Sequence, residues 1–566
     1  MKGIGASPGI SIGKAYIKKD DIDIKKYNID NVNEEIKRFH KGLCNSKSQI
    51  EELIEKTKKD IGKEEANIFK SHKLILEDPE FIGQVEEKIE MNYINSEWAI
   101  KEVIEFFMDL LGNLDNDYIK ERKADFKDVS NRLVRNLLGK RGVDFNEIEE
   151  GAIIIAKDLT PSETINIPKD RVRGFITEIG GKTSHTAIMS RNINIPAIVG
   201  VGKILRDLEN EDIIAMDGET GEFHINPEKR IIDMYEKRKI EYEKYRKKIK
   251  NLIGTKSVSK DGFQVSIGCN IGSIDDLDYV IGNDGEGIGL FRTEFIYMNR
   301  HSLPTEEEQY DKYRLVAEKM EGKPVIIRTL DIGGDKEIPY LNLPKEDNPF
   351  LGFRAIRYCL ENRDIFKTQL KAILRASAHG NIKIMFPMIS SVGEIRSAKK
   401  ILEEAINELS KGNINYNKNI EVGIMIEIPS AALISDKLAK EVDFFSIGTN
   451  DLLQYTVAVD RLNERISPLY CQYHPALLRL IKMIIENGHK NNIWVGMCGE
   501  VAGDTKLVPI LLGLGLDEFS VSPSSVLKVR DSITSLDKKS MEEHALNVLD
   551  LSGGDEVLRY INKNIK

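Results

Sequence analysis

The sequence predicts a multidomain α/β protein: an N-terminal α/β domain interrupted by a helical bundle, then one connector helix, then a C-terminal TIM (β/α)8 barrel. Three observations predict it. A stretch from about Asn28 to Lys140 carries helical periodicity between two strand-forming regions; Glu228 to Lys250 is dominated by Glu, Lys and Arg; and eight short apolar runs follow Gly254. The expected boundaries are 1–20 and 144–227 for the α/β domain, 21–143 for the bundle, 228–255 for the connector and 256–566 for the barrel.

Gly5-Ala6-Ser7-Pro8-Gly9 reads as a turn, and the alternating run Ile10 to Tyr16 as a short strand after it. In the bundle, apolar residues recur at Ile36, Phe39, Leu43, Ile50, Leu53 and Ile54, then at Leu74, Ile75, Ile82, Val85 and Ile89. That is the spacing of stripes along helices. Strand character resumes at Gly151–Ala156, Phe175–Thr177, Ala197–Val199 and Asp212–Met216, and the pairs Asp217-Gly218 and Thr220-Gly221 predict a hairpin. The charged segment from Glu228 has apolar or aromatic residues only at intervals, which fits one long exposed helix; a solvated charge run and a connector between moving domains are both compatible with it. The eight barrel strands are expected at Val265–Asn270, Gly287–Phe291, Val325–Thr329, Ile382–Pro387, Val422–Glu427, Phe444–Ile447, Trp494–Met497 and Glu518–Val521.

Composition excludes several classes. A chain of 566 residues exceeds what one core usually holds, so three or four domains are expected. With 41% hydrophobic and 31% charged residues and no apolar run of spanning length, membrane insertion is not expected. The first residues lack a sustained apolar segment of secretory type, so the cytoplasm is the expected compartment. Five scattered cysteines without C-x-x-C spacing argue against a disulfide framework or a zinc site. A net charge of −9 argues against nucleic-acid binding, which needs a basic surface.

The chemistry is concentrated in two places. Gly180-Gly181-Lys182-Thr183-Ser184-His185-Thr186-Ala187-Ile188-Met189-Ser190-Arg191 puts His185 where a glycine turn gives way to an apolar segment. Backbone N–H groups at such a helix start favour anionic oxygens, and a neutral imidazole nitrogen there can attack phosphorus. The second place is the polar end of the barrel strands, where βα loops build active sites. Arg292, Arg328, Arg354 and Arg461 suit a compact trianion, since guanidinium forks match phosphate and carboxylate oxygens. Glu427 and Asp451 suit a hard cation, because Mg²⁺ takes one or two protein carboxylates and completes its shell with substrate and water. Cys498 follows the seventh run, where its residue type is compatible both with inert filler of an apolar strand and with a thiol that exchanges a proton with carbon.

The His185 segment closely resembles the phosphohistidine segment of phosphoenolpyruvate-utilising enzymes. Gly287 to Phe295, Arg328 to Lys336, Asn348 to Arg354 and Gly448 to Leu452 look like the phosphoenolpyruvate-binding motifs of the enzyme I family of the bacterial sugar phosphotransferase system. Together these segments span nearly the whole chain. The resemblance implies that phosphoenolpyruvate phosphorylates His185, that pyruvate leaves, and that the phosphoryl group passes to the phosphocarrier protein HPr. It further implies that Arg292 and Arg328 contact phosphate and that Glu427 and Asp451 hold Mg²⁺. Asn450 and Arg461 would orient the substrate with Lys336 and Arg354 nearby, and Cys498 would protonate C3 of the departing enolpyruvate. A homodimer through the barrel is implied as well. Two positions depart from the family pattern: Asn299, often Asp, and the Ser522 to Leu527 loop.

A synthase or dikinase that also uses ATP is disfavoured, because the chain has neither room for a nucleotide-binding domain before His185 nor a Gly-x-x-x-x-Gly-Lys-Ser/Thr loop. A regulatory phosphohistidine protein without turnover is disfavoured by Glu427, Asp451 and Cys498. The helical insert is expected to dock HPr. Between Glu64 and Asp109 it has twelve acidic and four basic residues, with Phe69, Leu74, Phe81 and Trp98 as expected apolar anchors.

Overall fold

The computed structural model describes residues 1–18, 24–60, 63–112, 117–140, 148–168, 170–181, 184–193, 195–206, 208–298, 300–334, 338–341, 343–461, 463 and 465–565. The chain divides into two compact units, Met1–Lys247 and Lys248–Lys566.

The first unit is built on a seven-stranded sheet in the order β1-β5-β4-β3-β2-β6-β7. Its strands are β1 (Ile4–Ser7), β2 (Ile10–Ile17), β3 (Ala152–Ala156), β4 (Val172–Thr177), β5 (Ala197–Val199), β6 (Ile213–Asp217) and β7 (Glu222–Ile225). β2, β3, β4 and β5 run parallel, and β3, β4 and β5 are mostly buried on both faces, whereas β2 mixes buried with half-buried and exposed residues. The expected hairpin forms between β6 and β7. One expectation fails at the start of the chain: Gly5, Ala6 and Ser7 belong to β1, an edge strand antiparallel to β5, and not to a turn. Gly5 has no room for a side chain, because a Cβ there would overlap the Glu219 carbonyl. The glycine therefore marks a close approach of two backbones.

Between β2 and β3 the described residues form five helices, α1 (Val32–Asp60), α2 (Lys63–Glu77), α3 (Pro79–Asn92), α4 (Ser96–Gly112) and α5 (Asp117–Leu137). Their shared core contains Phe39, Leu43, Ile50, Val85 and Ile89, and it extends to Ile165 and Met189 of the sheet domain. Each such aliphatic side chain contributes about 1.5–3 kcal/mol when fully buried. The same core takes Phe69 and Phe81, so neither is an exposed anchor, whereas Leu74 is 67% exposed. Two short helices follow in the sheet domain, α6 (Pro161–Ile165) and α7 (His185–Ile193), and then the long α8 (Lys229–Lys250). Tyr235 of α8 is buried, and Arg238 pairs with Asp217 at the end of β6.

The second unit is a closed barrel of eight parallel strands: β8 (Ser266–Ile271), β9 (Gly287–Arg292), β10 (Val325–Arg328), β11 (Ile382–Phe386), β12 (Val422–Ile426), β13 (Phe444–Ile447), β14 (Trp494–Met497) and β15 (Glu518–Val521). Closure is made by β15 against β8, with Phe519 opposite Ile267 and Val521 opposite Cys269. Ile384, Ile424, Phe445, Val495 and Phe519 are among the fully buried strand residues, and the outer helices close over the same core. The fold is thus the α/β architecture with a TIM barrel that the apolar runs predict. Among the described residues no helix is long and apolar enough to cross a membrane.

Candidate active site

Several barrel strands end where apolar character gives way to a polar group, and that switch delivers the side chains to one mouth. Arg292 is the last residue of β9, and Arg328 the last of β10, with Asp331 three residues on. Glu427 directly follows β12, and Cys498 directly follows β14. After β13, Gly448 turns the chain into a helix (Thr449–Val457) whose first turn carries Asn450 and Asp451. These residues, with Arg354 and Arg461, line a single cavity of about 610 Å³. Lys336, the remaining substrate contact expected, lies outside the described residues, as does Asn299.

The cavity wall is a chain of alternating charges. The Arg328 guanidinium lies 2.8 Å from Glu294 and 3.0 Å from Asp331. Arg354 lies 2.9 Å from Asp331 and 3.3 Å from Asp451, and Arg461 lies 3.5 Å from the other Asp451 oxygen. Burial alone would lower the two inner arginines, but the surrounding carboxylates win and push both further up, so their charge is fixed. Arg292 is exposed and stacks over the Phe295 ring, 5.2 Å from its centre. Asn450 is held from two sides: its side-chain oxygen accepts from the Glu500 N–H at 3.2 Å, and its carbonyl accepts from the Tyr470 hydroxyl at 3.1 Å.

Glu427 is the exception in this balanced wall. Burial, then the neighbouring Asp451 and Asp331 carboxylates, push it up to about 8, against the pull of Arg328 and Arg354. Its Oε1 accepts from the Met388 N–H at 2.5 Å. A carboxylate crowded by two others is short of positive charge, and a cation would supply it. Among the described residues no group of three or more His, Cys, Asp or Glu forms a complete metal cage. Mg²⁺ does not need one, because it keeps several waters and shares substrate oxygens. The donor set fits that ion. Cys498 is 7% exposed, and burial foremost pushes its thiol up to about 12. It therefore holds its proton at neutral pH.

Three polar residues around this site carry roles that residue type alone did not disclose. Glu294 and Asp331 position Arg328, and Asn270 at the end of β8 donates to the Cys498 carbonyl at 2.9 Å. The available signal was placement, since each stands at or within a few residues of a strand end.

In the first unit, β4 runs through Gly180, at φ +121, into α7, which His185 opens. Ser184 caps that helix by accepting from the Ala187 N–H at 3.3 Å while donating to the Gly181 carbonyl at 2.9 Å. Thr186 anchors the same turn through the Leu159 carbonyl at 2.8 Å. Lys182 and Thr183 lie outside the described residues.

A barrel mouth lined with arginines and carboxylates, in a chain whose other unit bears a histidine at a glycine turn, has the parts of an enzyme that moves phosphoryl groups. The sequence matches the families described as "PEP-utilising enzyme, N-terminal" over residues 2–122, "PEP-utilising enzyme, mobile domain" over 148–221 and "PEP-utilising enzyme, PEP-binding domain" over 246–538. The mobile-domain match includes His185. The chain is 50% identical over 562 residues to the phosphoenolpyruvate-protein phosphotransferase of Priestia megaterium, covering 99% of this chain and 98% of that relative. With the protein of the same name from Bacillus subtilis (strain 168) it shares 49% identity over 567 residues and 100% of both chains. The chain belongs to the phosphoenolpyruvate-protein phosphotransferase family.

Proposed function

We propose that this protein transfers the phosphoryl group of phosphoenolpyruvate to His185 and from there to a histidine of the phosphocarrier HPr, releasing pyruvate, as the cytoplasmic first step of sugar uptake. The observation that carries this reading is the barrel mouth, where fixed guanidinium charge, a carboxylate pair suited to a cation and a protonated thiol line one cavity.

Arg292 and Arg328 bind the phosphate oxygens, while Asn450, Arg461, Arg354 and Lys336 orient the rest of the substrate. Glu427 and Asp451 would hold Mg²⁺, which when bound neutralises charge on substrate oxygens. The P–O bond to the enol breaks as the bond from phosphorus to the His185 nitrogen forms. The enolate left behind takes a proton at C3 from the Cys498 Sγ, giving pyruvate, and solvent returns the proton to sulfur. Positioning and charge neutralisation supply most of such a barrier reduction.

Residues 1–20 and 144–227 act as the phosphohistidine domain, 21–143 as the HPr dock, 228–255 as the connector and 256–566 as the substrate-binding barrel, through which the protein forms a homodimer. Exposed Leu74 amid an excess of eight negative charges between Glu64 and Asp109 supports a basic docking partner. The test is incubation with labelled phosphoenolpyruvate and Mg²⁺, with and without HPr. Acid-labile label on the chain that moves to HPr, with pyruvate formed in step, is the expected result; no label on the chain refutes the reading.

A further inference from the structure

The barrel unit holds another buried glutamate, at the opposite end of the strands from Glu294 and Glu427. Glu518 opens β15, opposite Gly496 of β14 and Ser266 of β8. Three positions facing its carboxylate are glycines: Gly268 on β8, Gly289 on β9 and Gly496 on β14, and a Cβ on any of them would overlap a Glu518 oxygen. Three strands thus forgo a side chain to make room for one carboxylate. The Met497 N–H is a backbone donor that favours its charged form, but neither oxygen meets it or any other described group in good hydrogen-bond geometry, and Glu518 lines a cavity of about 260 Å³ at the N-terminal ends of the strands. An unpaired buried polar group costs about 1–3 kcal/mol, and an ionised one more.

Burial pushes the Glu518 carboxyl up to about 8, opposed by Lys383 and the Met497 N–H. Lys383 also lines the cavity, but its ammonium lies 2.7 Å from both oxygens of Glu421. Its charge is already matched there. An occupant that completes the site with Glu518 ionised must donate hydrogen bonds and bring one positive charge. A divalent metal needs several oxygen ligands, and no group of three or more metal-ligating side chains exists among the described residues. A compact monovalent donor needs only one carboxylate as counter-charge; the Trp494 ring in the cavity lining is already stacked on Phe444 and faced by the Lys383 ammonium at 4.8 Å, so it serves as a reporter and not as a ligand. The volume exceeds what a single water fills.

We propose that this cavity binds a small ammonium-type cation, ammonium itself or a primary amine the size of methylammonium, with Glu518 as its counter-ion. The site is independent of phosphoryl transfer. The chain has two tryptophans, so Trp98→Phe leaves Trp494 as the only indole reporter in the full-length protein. Methylammonium chloride is titrated at about pH 8.5 and constant ionic strength, with sodium chloride and tetramethylammonium chloride as comparisons. The expected result is a saturable change in Trp494 emission and a rise in Tm with methylammonium alone, weakened at least tenfold by Glu518→Gln. The same response to all three salts, no saturation, or an unchanged response in Glu518→Gln overturns the proposal. If Glu518→Gln does not fold, the salt selectivity of the parent decides alone.

Discussion

The two units prepare charge in opposite ways. At the start of α7, Ser184 accepts from the Ala187 N–H and Thr186 donates to the Leu159 carbonyl, so hydroxyls and backbone groups make the bonds described there. At the barrel mouth, Arg328, Arg354, Glu294, Asp331 and Asp451 hold one another within 3.3 Å. The difference teaches what each task demands. A nucleophile that must accept a phosphoryl group and then surrender it cannot sit in a deep electrostatic well, whereas a site that recognises a trianion gains from donors already locked in place.

That contrast can be broken outright at His185. His185→Ala should abolish acid-labile phosphorylation while leaving the far-ultraviolet circular dichroism unchanged; label on another residue would reassign the nucleophile. A nearly equal loss is expected from Glu427→Ala or Asp451→Ala, which should remove Mg²⁺ dependence together with turnover. Activity that persists in EDTA would exclude that pair as the metal site.

Cys498→Ser sharpens the contrast within the barrel by separating binding from chemistry. A hydroxyl is a far poorer proton donor to carbon, so kcat should fall about 100-fold with little change in KM. A rise in KM alone would make Cys498 packing and not an acid.

The smallest effect concerns stability. The Glu518 carboxyl, ordinarily near 4.5, sits at about 8 in the fold, so the folded protein keeps a proton that the unfolded chain has released. This contribution is full below about pH 4.5 and is lost as pH rises through 8. Between about pH 5 and pH 9, Glu518→Gln should therefore lose fewer degrees of Tm than the parent. Lys383 faces the carboxyl and opposes the shift, so a parallel Lys383→Met variant should steepen the parent's decline. Equal slopes in all three proteins would mean that Glu518 is solvated.

Much of this architecture was legible because parallel barrel strands are buried on both faces and read as short, mostly apolar runs. Phe444–Ile447, Trp494–Met497 and Glu518–Val521 fall where the sequence predicts, residue for residue. Strand β1 was not legible: Gly5, Ala6 and Ser7 are small residues on an edge, and their pairing with β5 is set almost 200 positions away. At the mouth, Arg292, Arg328, Asn450, Asp451, Glu427 and Cys498 could be placed together from their common position at or just past strand ends, while Arg461, beyond the helix after β13, was joined to them by the family resemblance. The ion pairs that hold Arg328 and Arg354 could not, since residue type does not say which carboxylate turns inward. Nor does a charge count say which face of a helix is buried, which is why Phe69 and Phe81 were misplaced as anchors.

The protonation of Cys498 has a consequence for the protein's lifetime. Thiolate, not thiol, reacts with peroxide and alkylating agents, and a thiol at about 12 is ionised in roughly one molecule in 10⁵ at pH 7. The sulfur at the barrel mouth is thereby shielded from oxidative damage by the same burial that keeps its proton in place. Oxidants will meet Cys44 first, exposed on α1 and far less shielded.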